Sequence, residues 1–394
     1  MNASNPNHFA SHLSAATDLQ QAIAECCDNV SNSLSATADL VVAFVSANRA
    51  NDCETIVSKI CERLQTDCLV GCTGESIAGV SREVEFDPAL SVWAAHLPQA
   101  TVRPMHLTFE RSAEGGVIVG WPDDLDDDWP DGTAMLLLGD PFSFPADLML
   151  ERLNEDRPGV PVIGGMASGG GGPGDSRLLL GREVFQEGAL VVMLHGAVNV
   201  QTVVSQGCRP IGTHLVITKA ERNVIQELGG QPALLKLKEI FDTLPTREQQ
   251  LVQNGLHVGR VVSEYQDQFE QGDFLIRNVM GIDPENGSVV IGDFVRPGQT
   301  IQFQIRDNET ADEEMRQLFA RLRDDSDSAP AGALMFTCNG RGTHLFGEPH
   351  HDASAISSAL GEIPLAGFFA AGELGPVAGK NFMHGFTASV ALFE

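Results

Sequence analysis

The feature that most constrains the fold is a strand–helix–strand pattern that ends in glycine and occurs three times along the chain. In each copy an apolar run is followed by an amphipathic helical segment and then by a second apolar run that ends at a glycine turn. From the start of the first run to the glycine the copies span 31, 30 and 35 residues, namely Leu40 to Gly71, Ala134 to Gly164 and Gly332 to Gly367. Apolar runs of this length suit strands that are covered on both faces. The shared order predicts related units arranged about a common centre.

A further strand-like run follows each copy, at 89–97, 188–194 and 386–393. Between the second and third copies, most of residues 202–305 indicate strands, with a helix that starts at Pro232. A helix is also predicted from about Thr17 to Ser33, after a polar and frayed segment over residues 1–18. We therefore predict an α/β fold of mixed sheets built from repeated strand-helix-strand-strand units.

Charge and composition exclude several classes of function. The 394 residues include 53 acidic and 25 basic side chains, which gives a net charge of −28. Nucleic acids and anionic membrane surfaces both require a basic face, so neither is expected as a partner. No apolar run approaches the roughly 18 residues of a membrane span, and the polar N-terminus does not resemble a signal peptide. Eight cysteines without paired spacing are typical of a reduced, cytoplasmic protein.

Glycine-rich turns near the end of the chain carry the candidate binding residues. Each turn follows an apolar run, so its polar groups lie at a strand end, where ligands of α/β sheets bind. Arg341 offers a planar fork to a ligand carboxylate, and Glu373 offers a carboxylate to a ligand amine. The full set of predicted ligand-binding residues is Cys72, Arg209, Cys338, Asn339, Arg341, Glu373, His384 and Thr387. The alternative is a group of tight turns that binds no ligand.

Two other kinds of chemistry fit some of these residues. Cys338 could act as a nucleophile with His384 as its base and Glu373 as the group that orients the base, which makes a cysteine-dependent enzyme the alternative function. A metal site could use His344, His350 and His351, with or without Cys338, but their spacing matches no common zinc motif. We predict no metal and no cofactor.

A resemblance to a known family lies in four segments, Gly207–Gly212, Cys338–Gly342, Pro364–Pro376 and His384–Ala388. Through these segments the chain resembles the FIST proteins, named for F-box and intracellular signal transduction. The resemblance implies an N-terminal tail and helix over 1–35, a FIST N region over 36–213 and a FIST C region over 214–394.

The resemblance also implies a function. Many FIST proteins are bacterial sensory domains that are thought to bind small ligands such as amino acids, and they are associated with histidine kinases or other signalling modules. No output module is expected outside the two regions. The chain would therefore signal through a separate protein, such as a histidine kinase, or not signal at all. The resemblance implies no catalytic residues.

Overall fold

The computed structural model of the chain describes residues 7–34, 36–112, 115–123, 125, 129–265, 269, 271–325 and 328–394. It contains two compact units. The first, here called the three-sheet unit, comprises Met1–Ser205 and Arg316–Glu394. The second, here called the barrel unit, comprises Gln206–Met315. These units are defined by contacts in space, so their boundaries fall at different residues from those of the sequence-based regions 36–213 and 214–394.

Helices and strands are numbered in chain order. The helices are α1 (Leu19–Leu34), α2 (Cys53–Leu64), α3 (Ala146–Asp156), α4 (Ala233–Thr243), α5 (Thr246–Asn254), α6 (Asn308–Asp325), α7 (Thr343–Phe346) and α8 (His351–Leu360), with short 3₁₀ turns at Ala47–Asp52 and Gln271–Asp273. The first strands are β1 (His8–Ser14), β2 (Leu40–Ser46), β3 (Leu69–Gly74), β4 (Ser76–Gly79), β5 (Arg82–Glu85), β6 (Leu90–His96), β7 (Ala100–Ser112), β8 (Gly115–Val119), β9 (Ala134–Gly139), β10 (Val162–Met166), β11 (Leu178–Leu180), β12 (Glu183–Phe185), β13 (Ala189–Gly196) and β14 (Val200–Ser205). The remaining strands are β15 (Cys208–Glu221), β16 (Val224–Leu228), β17 (Gln231–Pro232), β18 (Leu256–Val261), β19 (Phe274–Asp283), β20 (Ser288–Ile291), β21 (Thr300–Arg306), β22 (Gly332–Cys338), β23 (Leu365–Ala370), β24 (Glu373–Val377), β25 (Lys380–His384) and β26 (Ala388–Phe393).

The three-sheet unit contains three mixed sheets with one common plan. Sheet 1 has the order β1-β6-β2-β3-β11-β12, sheet 2 has β25-β24-β10-β9-β13-β7-β8, and sheet 3 has β14-β26-β22-β23-β4-β5. In each sheet a parallel pair, β2/β3, β9/β10 or β22/β23, is joined on one side by an antiparallel strand from the same copy, β6, β13 or β26. The predicted α/β fold of repeated strand-helix-strand-strand units is confirmed.

The three parallel pairs also share their register, because a glycine occupies the same position in each. Gly71 pairs with Ala43, Gly164 with Leu137 and Gly367 with Met335. A Cβ atom at these glycines would lie 1.9, 1.8 and 2.3 Å from the partner's carbonyl oxygen. The glycines that end the three sequence copies are therefore equivalent in space, and each permits close approach of two backbones.

The three copies exchange their hairpins. The hairpin β4–β5 follows β3 in the chain but pairs with β23 in sheet 3. Likewise β11–β12 follows β10 but pairs with β3 in sheet 1, and β24–β25 follows β23 but pairs with β10 in sheet 2. Each sheet is therefore completed by a hairpin from another copy, in a closed cycle.

A central apolar cluster joins the three sheets. Phe44 of sheet 1 packs against Phe336 and Phe368 of sheet 3, with ring centroids 5.0 to 6.1 Å apart. Leu138 of sheet 2 belongs to the same cluster. All four side chains are buried, and each contributes about 1.5–3 kcal/mol of apolar burial. The helices α1 and α2 cover the other face of sheet 1, and α3 covers that of sheet 2.

The barrel unit is a separate antiparallel structure. Its strands follow the order β15-β21-β18-β19-β20-β16, and a further pairing of β15 with β16 closes the ring. The interior holds Ile217, Val258 and Phe303 among other buried apolar side chains, and α4 and α5 pack against this core. Closure leaves few unpaired strand edges.

Three local predictions are corrected by the structure. Residues 1–6 lie outside the described residues, but His8–Ser14 is the strand β1 rather than a frayed segment, and it pairs antiparallel with β6. Its alternating polar side chains hide the strand from a search for apolar runs. The sequence predicts Asp352 as a helix cap, because it precedes the helically spaced apolar residues Ala353, Ile356 and Leu360, yet the cap of α8 is His350 and Asp352 lies inside the helix. The helix α5 was not predicted, because its sequence is mostly polar.

Candidate functional site

The candidate site lies at the end of β22, where the chain turns away from sheet 3. The N–H of Cys338 donates to the carbonyl of Thr387 (2.9 Å), and the N–H of Asn339 donates to that of Ala370 (3.1 Å). The N–H of Arg341 then donates back to the carbonyl of Cys338 (2.9 Å). These bonds hold the glycine-rich turn against the ends of β23 and β26. Cys338 and Asn339 are partly exposed, so the turn can be reached from solvent.

Glu373 and His384 face each other across the hairpin β24–β25, and both are buried. The carboxylate of Glu373 accepts a hydrogen bond from the N–H of Thr387 (3.0 Å) and lies beside the thiol of Cys338. His384 Nε2 lies 3.0 Å from the carbonyl oxygen of Gly375. Because a carbonyl only accepts, this nitrogen carries a proton. The structure thus brings together Cys338, Asn339, Glu373, His384 and Thr387.

The cysteine is held in its protonated form. Burial and the adjacent charge of Glu373 raise the pKa of the Cys338 thiol to about 12. A nucleophilic cysteine needs the opposite shift, since the thiolate is the reactive species. The surroundings of Cys338 therefore do not support the alternative of a cysteine-dependent enzyme.

The pseudo-symmetry of the unit shows that this polar cluster belongs to one copy. In each sheet a row of directly paired residues runs from the first strand to the hairpin, namely Phe44–Cys72–Leu178–Phe185, Leu138–Gly165–Glu373–His384 and Phe336–Phe368–Ile77–Val84. Apolar pairs, Leu178–Phe185 and Ile77–Val84, thus replace Glu373–His384 at the equivalent positions. The hairpin can be built without polar groups there. Burying a carboxylate and an imidazole costs free energy that an apolar pair does not, so this hairpin is the candidate site among the three.

Arg341 is used differently from its prediction. Its Nε and one terminal nitrogen donate to the two oxygens of Asp352 at 2.7 and 2.8 Å, and both side chains are buried. Thr337 and His351 also hydrogen-bond to Asp352. Although burial alone would raise the pKa of Asp352, the charge of Arg341 and these hydrogen bonds hold it well below its usual range. The fork expected to receive a ligand carboxylate is occupied by a carboxylate of the chain itself.

Two other predicted residues lie elsewhere. Cys72 is fully buried in the central apolar cluster, and burial raises the pKa of its thiol well above the usual value. Arg209 belongs to the barrel unit, where it pairs with Glu248 at 3.0 Å and with Asp307 at 3.8 Å. Neither residue is part of the cluster around Cys338.

The hairpin β4–β5 brings two acidic residues that sequence reasoning missed. Glu83 is buried, and its Oε1 accepts a hydrogen bond from the N–H of Ala353 at 2.9 Å. Glu85 accepts hydrogen bonds from the N–H and hydroxyl of Thr343. No local signal marks either residue, because the contacts depend on the exchange of a hairpin between copies more than 250 residues apart.

Two of the three histidines of the metal hypothesis form hydrogen bonds in this same region. His350 Nδ1 accepts a hydrogen bond from the N–H of Glu83 at 3.0 Å, and His351 bonds Asp352. Within the described ranges, no three or more His, Cys, Asp or Glu side chains are grouped so as to hold a metal ion. No helix of the described chain is long and apolar enough to span a membrane.

Comparisons with known proteins cover almost the whole chain. The FIST N domain matches residues 39–231, and the FIST C domain matches residues 233–376. The uncharacterized protein Rv0628c of Mycobacterium tuberculosis (strain H37Rv) is 44% identical over 385 residues, which are 97% of this chain and 98% of that protein. The uncharacterized protein Mb0898c of Mycobacterium bovis is 42% identical over 380 residues, or 95% of this chain and 96% of that protein. The chain therefore belongs to the FIST family, whose domains are associated with sensing in signal transduction.

Proposed function

We propose that this FIST protein is a sensory or regulatory module that binds a small ligand with a protonated amine, such as an amino acid, beside Cys338. The observation that carries the proposal is the replacement of an apolar pair by Glu373 and His384 in one of three equivalent hairpins. This polar pair lies next to a turn that solvent can reach.

The chemistry of the cluster favours a donor group on the ligand. Glu373 is a buried acid, and Asn339 Oδ1 is shielded from solvent without a hydrogen-bond partner in the described part of the chain. The Cys338 thiol beside Glu373 is only a weak hydrogen-bond donor. An ammonium group would replace it with a charge-assisted hydrogen bond and would balance the buried carboxylate. The groups beside Cys338 that are available to a ligand are therefore mainly hydrogen-bond acceptors.

Output would pass through a separate signalling protein, for which a histidine kinase is our candidate. Asn339 and Arg341 share one short turn, and Arg341 is anchored to Asp352 in α8. A ligand that orders this turn would also restrain the start of α8. We place the protein in the cytoplasm because all eight cysteines, each of them in the described chain, are free thiols.

Thermal shift and calorimetry with the standard amino acids, and with their amides and N-acetyl derivatives, test this proposal. We expect amino acids and amides to stabilise the protein and N-acetyl derivatives to have no effect, because acetylation removes the ammonium group. Glu373→Gln should weaken binding at least about tenfold by removing a charge-assisted contact. Glu362→Gln, which changes an exposed acid, is the matched control and should bind as the wild type does.

Asn339→Ala provides a second variant if Glu373→Gln does not fold, and we expect it also to weaken binding. The proposal fails if no amine-bearing compound shifts the melting temperature. It also fails if N-acetylated compounds bind as well as the free amines.

A further inference from the structure

A cavity lies in the three-sheet unit, away from Cys338. It borders the starts of β9 and β10, has a volume of about 580 Å³ and adjoins another of about 450 Å³ that shares the wall formed by Gly159, Val160, Pro161 and Val200. Glu373, by contrast, pairs with Gly165 near the other end of β10. Volumes of 300–1,000 Å³ are typical of small-molecule sites, so the cavity is large enough for a ligand.

Arg157 is the basic side chain on the wall of the larger cavity. It follows the last residue of α3, and its guanidinium lies 5.1 Å from the ring centre of Trp129, which lines the same cavity. One terminal nitrogen donates to the carbonyl of Asp156 at 2.9 Å, but Nε is buried without a hydrogen-bond partner. In the part of the chain that the structure describes, Arg157 forms no ion pair, although acidic residues outnumber basic ones 53 to 25.

Burying a guanidinium N–H donor costs free energy unless an acceptor forms a hydrogen bond with it. The two arginines among the predicted ligand-binding residues already have partners, since Arg341 binds Asp352 and Arg209 binds Glu248. A position after the last turn of a helix and a stack on an indole stabilise a cation, but neither supplies an anion to its fork.

The rest of the wall restricts the class of anion. Trp129, Pro130, Pro158 and Pro161 present apolar surface, which suits a flat hydrocarbon body. Asp131 and Asp156 are exposed residues of the same wall and repel a dianion more strongly than a monoanion. We infer that the cavity beside Arg157 and Trp129 binds a small monocarboxylate with a planar apolar body, its carboxylate paired with Arg157.

Benzoate is a suitable probe, and Trp129 is the reporter. Titration of the full-length protein with sodium benzoate should give a saturable change in tryptophan fluorescence, while neutral benzamide and inorganic phosphate should give none. Arg157→Gln should weaken benzoate binding at least about tenfold, because the charge-assisted contact is lost. Arg152→Gln alters an exposed arginine on α3 and should leave binding unchanged.

Arg157→Lys keeps the charge but not the fork and should also weaken binding, which provides a second variant if Arg157→Gln is unstable. Circular dichroism would confirm that each variant is folded. Benzamide binding equal to that of benzoate, unchanged affinity in both Arg157 variants, or no saturable change with the wild type would overturn the inference. Tighter binding of phosphate than of benzoate would overturn the carboxylate assignment.

Discussion

Glu83 is a carboxyl group buried against the first turn of α8, close to a second buried acid. Burial raises its pKa to about 8, and the charges of Asp352 and Glu85 act in the same direction, while Arg341 partly opposes them. The charge of Arg341 therefore acts on two buried acids, Asp352 and Glu83. Arg341 is bonded to Asp352, so Glu83 is the acid that remains protonated at neutral pH.

This shift predicts how stability depends on pH. Between an ordinary pKa of 4.5 and about 8, folded Glu83 keeps a proton that the unfolded chain has lost. The free energy of unfolding should therefore fall by up to about 1.4 kcal/mol per pH unit across this range and level off above it. Glu83→Gln should remove that fall and make the protein more stable than the wild type near pH 8. Urea denaturation of both proteins from pH 5 to about 9 would measure the difference.

The wild type must be compared with Glu83→Gln because other groups titrate in the same pH range. Burial lowers the pKa of His257 to about 4, which makes stability rise with pH up to its ordinary value of 6.5. The shift of Asp352 acts below its own ordinary value and so outside the window of Glu83. If wild type and Glu83→Gln show parallel pH profiles, the assignment of a raised pKa to Glu83 is wrong.

Some of the candidate site could be predicted from the sequence, because a glycine turn after an apolar run marks a strand end. That reasoning selected Cys338, Glu373 and His384, which the structure brings together. It could not foresee that Asp352 takes the fork of Arg341, since an aspartate at a helix start also fits a cap. Contacts of Glu83 depend on long-range pairing that no local pattern encodes.

At the scale of secondary-structure elements, each parallel strand pair has a glycine at the same register position, where the two backbones approach closely. The strand order within each copy was predictable from hydrophobic runs, and the glycines that end the copies proved equivalent. The exchange of hairpins was not predictable, because β4, β11 and β24 are short strands whose partners lie far away in the chain. In the structure β4 and β11 place Ile77 and Leu178 in the central cluster, whereas β24 places Leu374 in the core beneath α3.

Gly164→Ala tests the role of these glycines. The new Cβ would lie 1.8 Å from the carbonyl oxygen of Leu137, and Gly164 also has a positive φ of 152°. Two paired backbones cannot separate without loss of their hydrogen bonds, so we expect a loss of at least about 3 kcal/mol or no folded protein. Gly171→Ala is the matched control, since a Cβ there would meet only the carboxylate of Asp175 at 3.8 Å.

Chemical denaturation of the two variants measures this difference, with the change for Gly171→Ala expected within about 0.5 kcal/mol of zero. A mild effect of Gly164→Ala, close to that of the control, would show that the strands can move apart. In that case the shared glycine row would not be a requirement of the parallel pairs.

At the scale of the whole molecule, the barrel unit is inserted in the chain between the two segments that form the three-sheet unit. The barrel unit follows β14, and the chain then returns to the three-sheet unit through α6. The three-sheet unit depends on both parts of the chain, because β14 pairs with β26 and the hairpin β4–β5 pairs with β23. The barrel strands, by contrast, pair only with one another in the described chain.

This arrangement predicts that a fragment of residues 206–325 folds alone, whereas residues 1–205 do not. The first fragment keeps the closed ring of strands, its apolar core and all of α6, so it retains its buried surface and its strand pairing. The second fragment lacks β22, β23 and β26, which form the middle of sheet 3 and pair with β4 and β14. We expect the first fragment to show dispersed amide resonances and one cooperative urea transition, and the second to aggregate or to lack a cooperative transition.

Mixing residues 1–205 with residues 316–394 should restore cooperative unfolding if the three-sheet unit is complete without the barrel. A barrel fragment that stays unfolded would show instead that it needs the three-sheet unit as a template, and the view of the barrel as an autonomous insertion would have to be abandoned.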